Sequence, residues 1–267
     1  EENSIKLPIY RALYLEKIFK NMPNTNIQKN EYYKNMISQI EDRQIDLSTK
    51  IPPKLNAELR TYQKIGYKWL RTLEQYKMGG ILADDMGLGK TIQLLAVILS
   101  YVQKNKGNVK PSIIICPSSL ALNWYNEIQK FTPTLKALVI SDDYLERKRK
   151  IEEIGKYQVI ITSYDSLKRD IDLYKNYCFK YVVADEAQYI KNNNTKNSKA
   201  IKTINAETKF ALTGTQIENS LSELWSIFDF IMPGYLYKYK KFKELYETPI
   251  IKEQNEDVMN KLKKQIE

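Results

Sequence analysis

The stretch Gly80–Thr91, which reads GILADDMGLGKT, decides the fold of this 267-residue chain. It begins as a short apolar run, and a long apolar segment with a helical pattern follows from Ile92. A glycine-rich turn between a strand and a helix directs backbone N–H groups and the start of the helix at one point. The stretch therefore predicts a cradle for the phosphates of a nucleoside triphosphate.

The cradle departs at one position from the general pattern G-x-x-x-x-G-K-[ST], because Asp84 stands where the pattern has glycine. The lysine of that pattern, here Lys90, reaches the terminal phosphates, and the next hydroxyl, here that of Thr91, binds Mg²⁺. A glycine-rich turn with an incidental lysine is the alternative. The strand before the turn and the helix after it favour nucleotide binding.

From about residue 59 the chain alternates short apolar runs with amphipathic segments. Several runs are apolar on both faces, as in strands that helices cover on each side. The alternation predicts an α/β fold with a doubly wound parallel sheet, whose ligands bind beyond the carboxyl ends of the strands. The predicted strands are 80–83, 112–116, 137–140, 157–162, 180–184 and 208–212, and the predicted helices are 91–103, 119–131, 142–154, 165–175 and 195–204.

Both ends of the chain are predicted to be helical, and the paired prolines Pro52 and Pro53 separate the N-terminal helical part from the strands and helices of the nucleotide-binding lobe. The predicted division is a helical lead-in at 1–50, a nucleotide-binding lobe at 51–234 and a peripheral helical extension at 235–267. Near the end of the lobe, Ser220-Leu221-Ser222-Glu223 fits a capping box that opens one more helix.

Composition limits the classes of protein and of site. No apolar run approaches the roughly 18 residues that span a bilayer, and the polar first residues do not resemble a secretory signal. The two cysteines, Cys116 and Cys178, are interpreted as reduced thiols, which fits a cytoplasmic location. The chain has no histidine, which excludes Ser-His-Asp and Cys-His catalysis.

The net charge of +10 has two interpretations, a polyanionic partner or lysine-rich helix faces in solvent. The run Arg147–Lys150 lies in a predicted helix whose apolar positions are Leu145, Ile151 and Ile154. An exposed helix face is the preferred interpretation of that run.

A second motif, Asp185-Glu186-Ala187-Gln188, directly follows the apolar run 181–184. A carboxylate at the end of a strand beside the cradle can hold Mg²⁺ through water, and an adjacent glutamate can orient or deprotonate the attacking water. An acidic turn is the alternative, but its combination with Lys90 and Thr91 favours the functional interpretation. The predicted catalytic residues are Lys90, Asp185 and Glu186, with Thr91 and Asp185 at the metal.

Two further motifs are weak when taken alone. Thr213-Gly214-Thr215 follows the run 207–212, and its hydroxyls could bond to the acidic loop, although a simple turn explains it better. Gln63 opens a segment with a helical apolar stripe, and its amide offers one donor and one acceptor to an adenine edge.

Taken in order, these motifs resemble the first motor lobe of the Swi/Snf-family DNA-dependent ATPases, within superfamily two of helicase-like proteins. The similarity spans roughly residues 55–245, and its most specific part is Ile81–Thr91, where Asp84 is the family's usual choice. The lead-in at 1–50 looks like the segment that precedes the motor in bacterial members. The motifs that carry the resemblance are Leu59–Gln63, Asp84–Thr91, Cys116–Leu120, Thr162–Leu167, Asp185–Gln188 and Leu212–Leu221.

The resemblance implies a RecA-like fold and an ATP hydrolase with ATP and Mg²⁺ as cofactors. It implies that Gln63 recognises adenine, and that four residues, Ser118, Ser119, Thr162 and Ser163, grip one backbone of double-stranded DNA, for which hydroxyls and helix N-terminal amides are suited. Trp124 is interpreted as a core residue. The residues expected at the nucleotide are Gln63, Asp84, Asp85, Met86, Gly87, Leu88, Gly89, Lys90 and Thr91.

Three departures from the family pattern accompany the resemblance. The acidic motif ends in Gln188 rather than His, so coupling to Thr213 or Thr215 would use hydrogen bonds without a titratable ring. Gln216 and Glu218 replace the proline and glutamine of the usual Thr-Pro-Ile-Gln-Asn. A second motor lobe with an arginine finger is expected elsewhere in a longer chain, so this part alone should bind ATP weakly and hydrolyse it very poorly.

The function expected from the sequence is the ATP-binding lobe of a DNA translocase that remodels or displaces protein–DNA complexes, with nucleoprotein or transcription complexes as partners and no membrane. Two alternatives stay open: a nucleotide-dependent interaction module without turnover, and an RNA helicase.

Overall fold

The computed structural model describes residues 7, 9–11, 15, 16, 19, 27–41, 48–85, 87–214 and 220–266. Six parallel strands form one sheet in the spatial order β1-β6-β5-β2-β4-β3. Their bounds are β1 Gly80–Leu82, β2 Ser112–Cys116, β3 Ala137–Ile140, β4 Val159–Ser163, β5 Cys178–Ala184 and β6 Asn205–Leu212. The predicted parallel sheet and its six strands are confirmed.

Helices connect and cover the strands, and all five helices predicted between the strands are present. Short 3-10 turns at Ile9–Arg11, Ser118–Leu120, Ile154–Lys156 and Ala187–Ile190 complete the connections. The helices are α1 Glu31–Glu41, α2 Thr61–Gln75, α3 Lys90–Lys104, α4 Ala121–Phe131, α5 Tyr144–Glu152, α6 Tyr164–Tyr174, α7 Lys196–Thr203, α8 Leu221–Ile231 and α9 Glu256–Ile266. No helix in the described ranges is long and apolar enough to cross a membrane.

The core consists of two apolar clusters, one on each face of the sheet. Successive side chains of a strand point to opposite faces, and β2 shows this, since Ile113 and Ile115 belong to one cluster and Ile114 and Cys116 to the other. Helices α2, α3 and α4 pack on the second face, and α5 to α8 pack on the first. Coverage of both faces explains why every residue of β2 and β4 is buried.

The two ends of the chain also contribute to the first core cluster. Met36 and Ile37 of α1 are buried in it, and so are Phe242 and Leu262 from the C-terminal stretch. That stretch is helical, as predicted, in three consecutive segments, Tyr239–Phe242, Lys243–Glu247 and Thr248–Lys252, followed by α9. The extension predicted to be peripheral therefore supplies buried apolar side chains to the lobe.

The helix after Ser220 is present as α8, but the capping box predicted there is wrong. The Ser220 side chain makes no capping hydrogen bond; instead its hydroxyl lies 2.7 Å from that of Ser222. Glu223 pairs with Lys191 at 2.9 Å rather than with the start of its own helix. The Glu223 side chain, which a capping box would have used, therefore forms a tertiary ion pair instead.

The run Arg147–Lys150 is only partly the solvated face that was predicted. The Arg147 guanidinium is buried, and it bonds both oxygens of the buried Asp170 carboxylate, at 2.5 and 3.0 Å. Lys150 pairs with Asp142, and Arg149 pairs with Glu146 at the surface. Most of this local positive charge is therefore neutralised within the molecule.

Candidate nucleotide and DNA site

The predicted functional motifs lie along one edge of the sheet, because the strands are parallel and their carboxyl ends coincide. Residue pairs Leu82↔Leu212 and Ala184↔Ala211 place the ends of β1, β6 and β5 side by side. The phosphate loop follows β1, Thr213 follows β6 and Asp185 follows β5. Burial raises the pKa of the Asp185 carboxyl, and the charge of Lys90, which lies near enough to act on it, opposes that rise.

The phosphate loop turns on glycines whose conformations other residues rarely adopt. Gly87 and Gly89 have φ angles of +84° and +80°, and α3 begins directly after Gly89. A Cβ atom at Gly89 would lie 2.5 Å from the Nε2 atom of Gln63, so a larger residue there would also have to move that amide. The predicted loop between strand and helix is therefore present. Met86, which belongs to this loop, lies outside the described residues.

Lys90 is folded over its own loop. Its ammonium donates to the backbone carbonyls of Asp84 at 2.5 Å and of Asp85 at 3.0 Å. The Asp84 carboxylate accepts a hydrogen bond from the buried Gln93 amide at 3.1 Å. Asp84, the residue that replaces glycine, is therefore tied to the same helix that carries Lys90 and the half-buried Thr91.

Gln63 contacts the phosphate loop directly. Its Oε1 atom accepts from the backbone N–H of Arg60 at 2.9 Å, and its Nε2 atom donates to the Leu88 carbonyl at 3.1 Å. The Tyr62 hydroxyl donates to the same carbonyl at 3.1 Å. Both sides of the Gln63 amide are thus engaged with the protein, at a point next to the loop.

Asp185 is held through both its carboxylate and its backbone carbonyl. Its Oδ2 atom accepts from the indole N–H of Trp124 at 2.7 Å, and its Oδ1 atom accepts from the Glu186 backbone N–H at 3.0 Å. The Asp185 carbonyl accepts from the Tyr164 hydroxyl at 2.8 Å. Burial raises the pKa of this carboxyl; the Trp124 hydrogen bond opposes that rise and the Glu186 charge adds to it.

Glu186 adopts a left-handed backbone conformation, with φ of +51°. Such a conformation is uncommon for a residue with a side chain and is concentrated at functional sites. Its carboxylate accepts a hydrogen bond from the Gln188 amide at 2.7 Å, while the buried Gln188 Oε1 atom has no partner among the described residues. The observed partner of Gln188 is thus Glu186.

Thr213 is buried at the end of β6, and its backbone N–H donates to the Leu82 carbonyl at 3.2 Å. It therefore lies between the phosphate loop and the acidic motif. Thr215, the other predicted coupling residue, and the departures Gln216 and Glu218 lie outside the described residues, so the predicted coupling to Gln188 stays a prediction.

The four predicted DNA-contacting residues divide into two pairs. Ser118 and Ser119 are exposed on the turn that follows β2, at the same edge as the acidic motif. Thr162 is fully buried and donates to the Ile140 carbonyl at 3.2 Å, and the buried Ser163 hydroxyl accepts from the Ser166 N–H at 3.1 Å as the cap of α6. Internal hydrogen bonds occupy both hydroxyls of the second pair in this arrangement, and their contact with DNA stays a prediction.

Three residues of the site were missed or only partly described from the sequence. Trp124 is a core residue, as interpreted, but its indole also holds Asp185; Tyr164 and Gln93 hold Asp185 and Asp84 in the same way. An apolar helical stripe accounts for Trp124 without any second role, whereas Tyr164 lies in the motif Thr162–Leu167 and Gln93 in none of the predicted motifs. The signal that could have revealed them is their nearness in sequence to the predicted motifs.

The site combines a glycine loop, a lysine folded over that loop and a carboxylate at the end of a strand, all on one parallel sheet. This combination defines a nucleotide-binding α/β protein of the RecA-like type. The sequence profile of the SNF2-related domain matches residues 62–267. The chain belongs to this family, as the first motor lobe.

Known proteins similar to this chain agree with that assignment. An uncharacterized ATP-dependent helicase of Mycoplasma pneumoniae is 42% identical over 248 residues, covering 92% of this chain and 23% of that protein. The TATA-binding protein-associated factor MOT1 of Saccharomyces cerevisiae is 37% identical over 252 residues, covering 91% of this chain and 14% of that protein. The chain thus spans less than a quarter of the length of these relatives.

A solved structure, the Sulfolobus solfataricus SWI2/SNF2 ATPase core in complex with dsDNA, is 42% identical in sequence and superimposes with a TM-score of 0.74. The similarity covers 80% of this chain and 44% of that one. The RecA-like fold expected from the sequence is confirmed.

Proposed function

We propose that this chain is the ATP-binding lobe of a DNA-dependent ATPase and translocase that remodels or displaces protein–DNA complexes. The observation that carries the proposal is the position of Lys90 and of the Asp185–Glu186 pair at one sheet edge, with only β6 between their strands. The relatives support it by their names, which include an ATP-dependent helicase, a core bound to dsDNA and a TATA-binding protein-associated factor.

Phosphate binding requires an exchange of hydrogen bonds at Lys90. The ammonium now donates to the Asp84 and Asp85 carbonyls, and the negatively charged terminal phosphates are stronger acceptors than carbonyl oxygens. The N-terminal amides of α3 face the same loop and favour negative charge. ATP would therefore draw Lys90 away from its own loop, and Gln63 would have to release Leu88 in order to meet adenine.

The residues at this edge fit Mg²⁺ as a cofactor. Thr91 and Asp185 would hold it, since both offer oxygen ligands, and this ion commonly takes one or two protein ligands with phosphates and waters as the rest. The described residues contain no group of three or more His, Cys, Asp or Glu that could hold a metal alone. When bound, the ion neutralises charge on the phosphates.

Glu186 is suited to orient and deprotonate the attacking water. It follows Asp185 directly, and its left-handed backbone turns it away from the strand direction. The Gln188 amide fixes its carboxylate by one oxygen, at 2.7 Å. The other oxygen would accept a proton from the water while the Asp185 carboxylate stays on the metal side.

Double-stranded DNA would contact the same edge at the Ser118–Ser119 turn and at the N-terminus of α6. Exposed hydroxyls and helix N-terminal amides suit contacts with phosphates that do not depend on sequence. Nucleoprotein or transcription complexes are the targets that the relatives suggest. A cytoplasmic location is consistent with Cys116 and Cys178, which are both free thiols.

A Glu186→Gln variant of the complete protein tests turnover. We expect it to retain ATP binding and to lose DNA-stimulated hydrolysis by at least about 100-fold, the lower end of what a positioned acid–base group contributes. The exposed Glu152→Gln is the matched control. Unchanged hydrolysis in Glu186→Gln would favour an interaction module without turnover and reject the proposal.

The nature of the nucleic acid is tested by the ATPase rate of the complete protein with duplex DNA and with single-stranded RNA. A DNA translocase is stimulated by duplex DNA, and the stimulation falls as salt rises because phosphate contacts dominate. Stimulation by RNA alone would identify the RNA helicase alternative instead.

A further inference from the structure

Asp185 is held by two aromatic side chains from outside the nucleotide loop. The Trp124 indole N–H donates to its Oδ2 atom at 2.7 Å, and the Tyr164 hydroxyl donates to its backbone carbonyl at 2.8 Å. Both aromatic residues are buried, with 3% and 2% of their surface exposed. The carboxylate and the main chain of one residue are therefore fixed by two separate parts of the fold.

The two aromatic residues come from the two segments that the proposed function places against DNA. Trp124 lies in the first turns of α4, directly after the exposed Ser118–Ser119 turn. Tyr164 is the first residue of α6, next to its cap Ser163. Each helix start therefore carries one donor that holds Asp185.

Tyr164 also contacts the far side of the acidic motif. Its ring stacks on that of Tyr189, with centroids 5.2 Å apart and planes 6° from parallel. Tyr189 lies on the 3-10 turn Ala187–Ile190, which directly follows Glu186, and 47% of its surface is exposed. One tyrosine thus bridges the start of α6, the Asp185 backbone and the turn that carries Gln188.

Packing alone does not require this arrangement. A buried indole or phenol needs one acceptor, and a backbone carbonyl of a neighbouring turn would serve. Trp124 instead uses a carboxylate oxygen, and the Glu186 N–H takes the other oxygen, so the orientation of the carboxylate is set on both sides. Groups that orient a metal ligand in this way commonly govern metal affinity.

We propose that Trp124 and Tyr164 are positioning residues that couple DNA contact at the starts of α4 and α6 to the orientation of Asp185. This inference rests on the proposed function, because it needs both DNA at that edge and a metal at Asp185. A DNA phosphate that binds at the start of either helix shifts the donor on that helix, Trp124 or Tyr164. The Asp185 carboxylate then shifts with that donor. DNA would thereby raise the ATPase rate without itself touching the nucleotide.

Two conservative variants test the coupling in the complete protein. Trp124→Phe removes the indole donor and Tyr164→Phe removes the phenol, and both keep an aromatic ring. Their matched controls are Trp225→Phe, whose indole donates to the Tyr237 carbonyl, and Tyr174→Phe, at the other end of α6. ATPase rates are measured against Mg²⁺ concentration, with and without duplex DNA, and the Mg²⁺ dependence of ATP affinity is measured by calorimetric titration.

In Trp124→Phe the half-saturating Mg²⁺ concentration should rise about tenfold, the lower end of effects seen when an orienting partner of a metal ligand is removed. In both variants the ratio of the rate with DNA to the rate without DNA, at saturating Mg²⁺, should fall at least about threefold. Both controls should stay within about twofold of wild type on both measures.

Three outcomes are distinguishable. The coupling is overturned if the ratio of the ATPase rate with DNA to the rate without DNA matches that of the controls in both variants. It is also overturned if the variants lose the same fraction of the ATPase rate with and without DNA. Should Trp124→Phe fail to fold, Tyr164→Phe decides alone by its stimulation ratio. Failure of the proposed function is a different result, since Lys90→Ala in the otherwise wild-type protein would then leave the DNA-stimulated rate intact.

Discussion

At the scale of single residues, the nucleotide edge departs from ordinary backbone geometry where the proposed chemistry needs it. Glu186 is left-handed, and Gly87 and Gly89 have positive φ angles in the phosphate loop. Gly89 is further restricted by the Gln63 amide, whereas a Cβ atom at Gly87 would meet nothing within 4 Å. A substitution at Gly87 therefore tests the cost of the backbone conformation alone, whereas one at Gly89 also tests the steric contact of a Cβ atom with Gln63.

We expect Gly89→Ala to weaken ATP binding more than Gly87→Ala does. Each substitution costs about 1–2 kcal/mol for a left-handed residue with a side chain, but only a Cβ atom at Gly89 would crowd the amide of Gln63, the residue expected to bind adenine. Titration of a fluorescent ATP analogue measures the difference. Equal losses in the two variants would show that crowding of Gln63 has no part in ATP binding.

The buried Lys209 should make the free energy of unfolding depend on pH. Burial lowers the pKa of this lysine to about 8, against the attraction of Asp229, while Lys202 adds repulsion. Between that value and the ordinary pKa of 10.5 the unfolded chain binds more protons than the folded chain, so the free energy of unfolding rises with pH. Below about pH 8 the full cost of burying the charge is present.

Lys209→Met should remove this rise. Urea unfolding at about pH 7.5 and about pH 9.5 should show the free energy of unfolding of wild type gaining about 2 kcal/mol on that of the variant. The same replacement at the exposed Lys148 is the control and should leave the gain intact. A constant difference between wild type and Lys209→Met at the two pH values would contradict the assignment.

At the scale of elements, the ion pair between Arg147 of α5 and Asp170 of α6 ties the two helices together on the first face of the sheet. Removal of one partner of a buried pair leaves the other charge without compensation and typically costs about 3–5 kcal/mol. Asp170→Asn should therefore lower the free energy of unfolding by about that amount, measured by urea denaturation.

The exposed pair between Arg149 and Glu146 on the same helix is the control for that experiment. Glu146→Gln should change the free energy of unfolding by less than about 1 kcal/mol. Similar losses in the two variants would mean that the Arg147 pair contributes no more than a surface contact.

The strands and helices could be predicted because their signals are local. Ser112–Cys116 is apolar on both faces, and this alone predicts a strand covered on each side. Element ends were less accurate: β6 begins at Asn205 rather than at 208, since its first residues are partly exposed and polar. The order of the strands, and the pairing of Glu223 with Lys191, depend on tertiary contacts that no local pattern contains.

At the scale of the whole molecule, the parallel sheet explains why motifs far apart in sequence meet at one edge. The candidate residues for chemistry could be chosen from the sequence, because a lysine after glycines and a carboxylate after a strand favour one nucleotide site when they are taken together. The supporting roles were not evident, because Trp124 also satisfies the pattern of a core, and Tyr164 lies in a motif expected to contact DNA rather than Asp185. Thr162 shows the converse, since a strand-end hydroxyl turned out to be buried.

Lys90 and Asp185 are proposed to act on one Mg·ATP, and calorimetric titration of the complete protein with ATP, with and without Mg²⁺, tests this most directly. Lys90→Ala should weaken ATP binding in both conditions, since the lysine contacts phosphate. Asp185→Asn should weaken it only when Mg²⁺ is present, and the exposed control Asp172→Asn should do neither. Undiminished Mg·ATP affinity in Asp185→Asn would contradict a shared site.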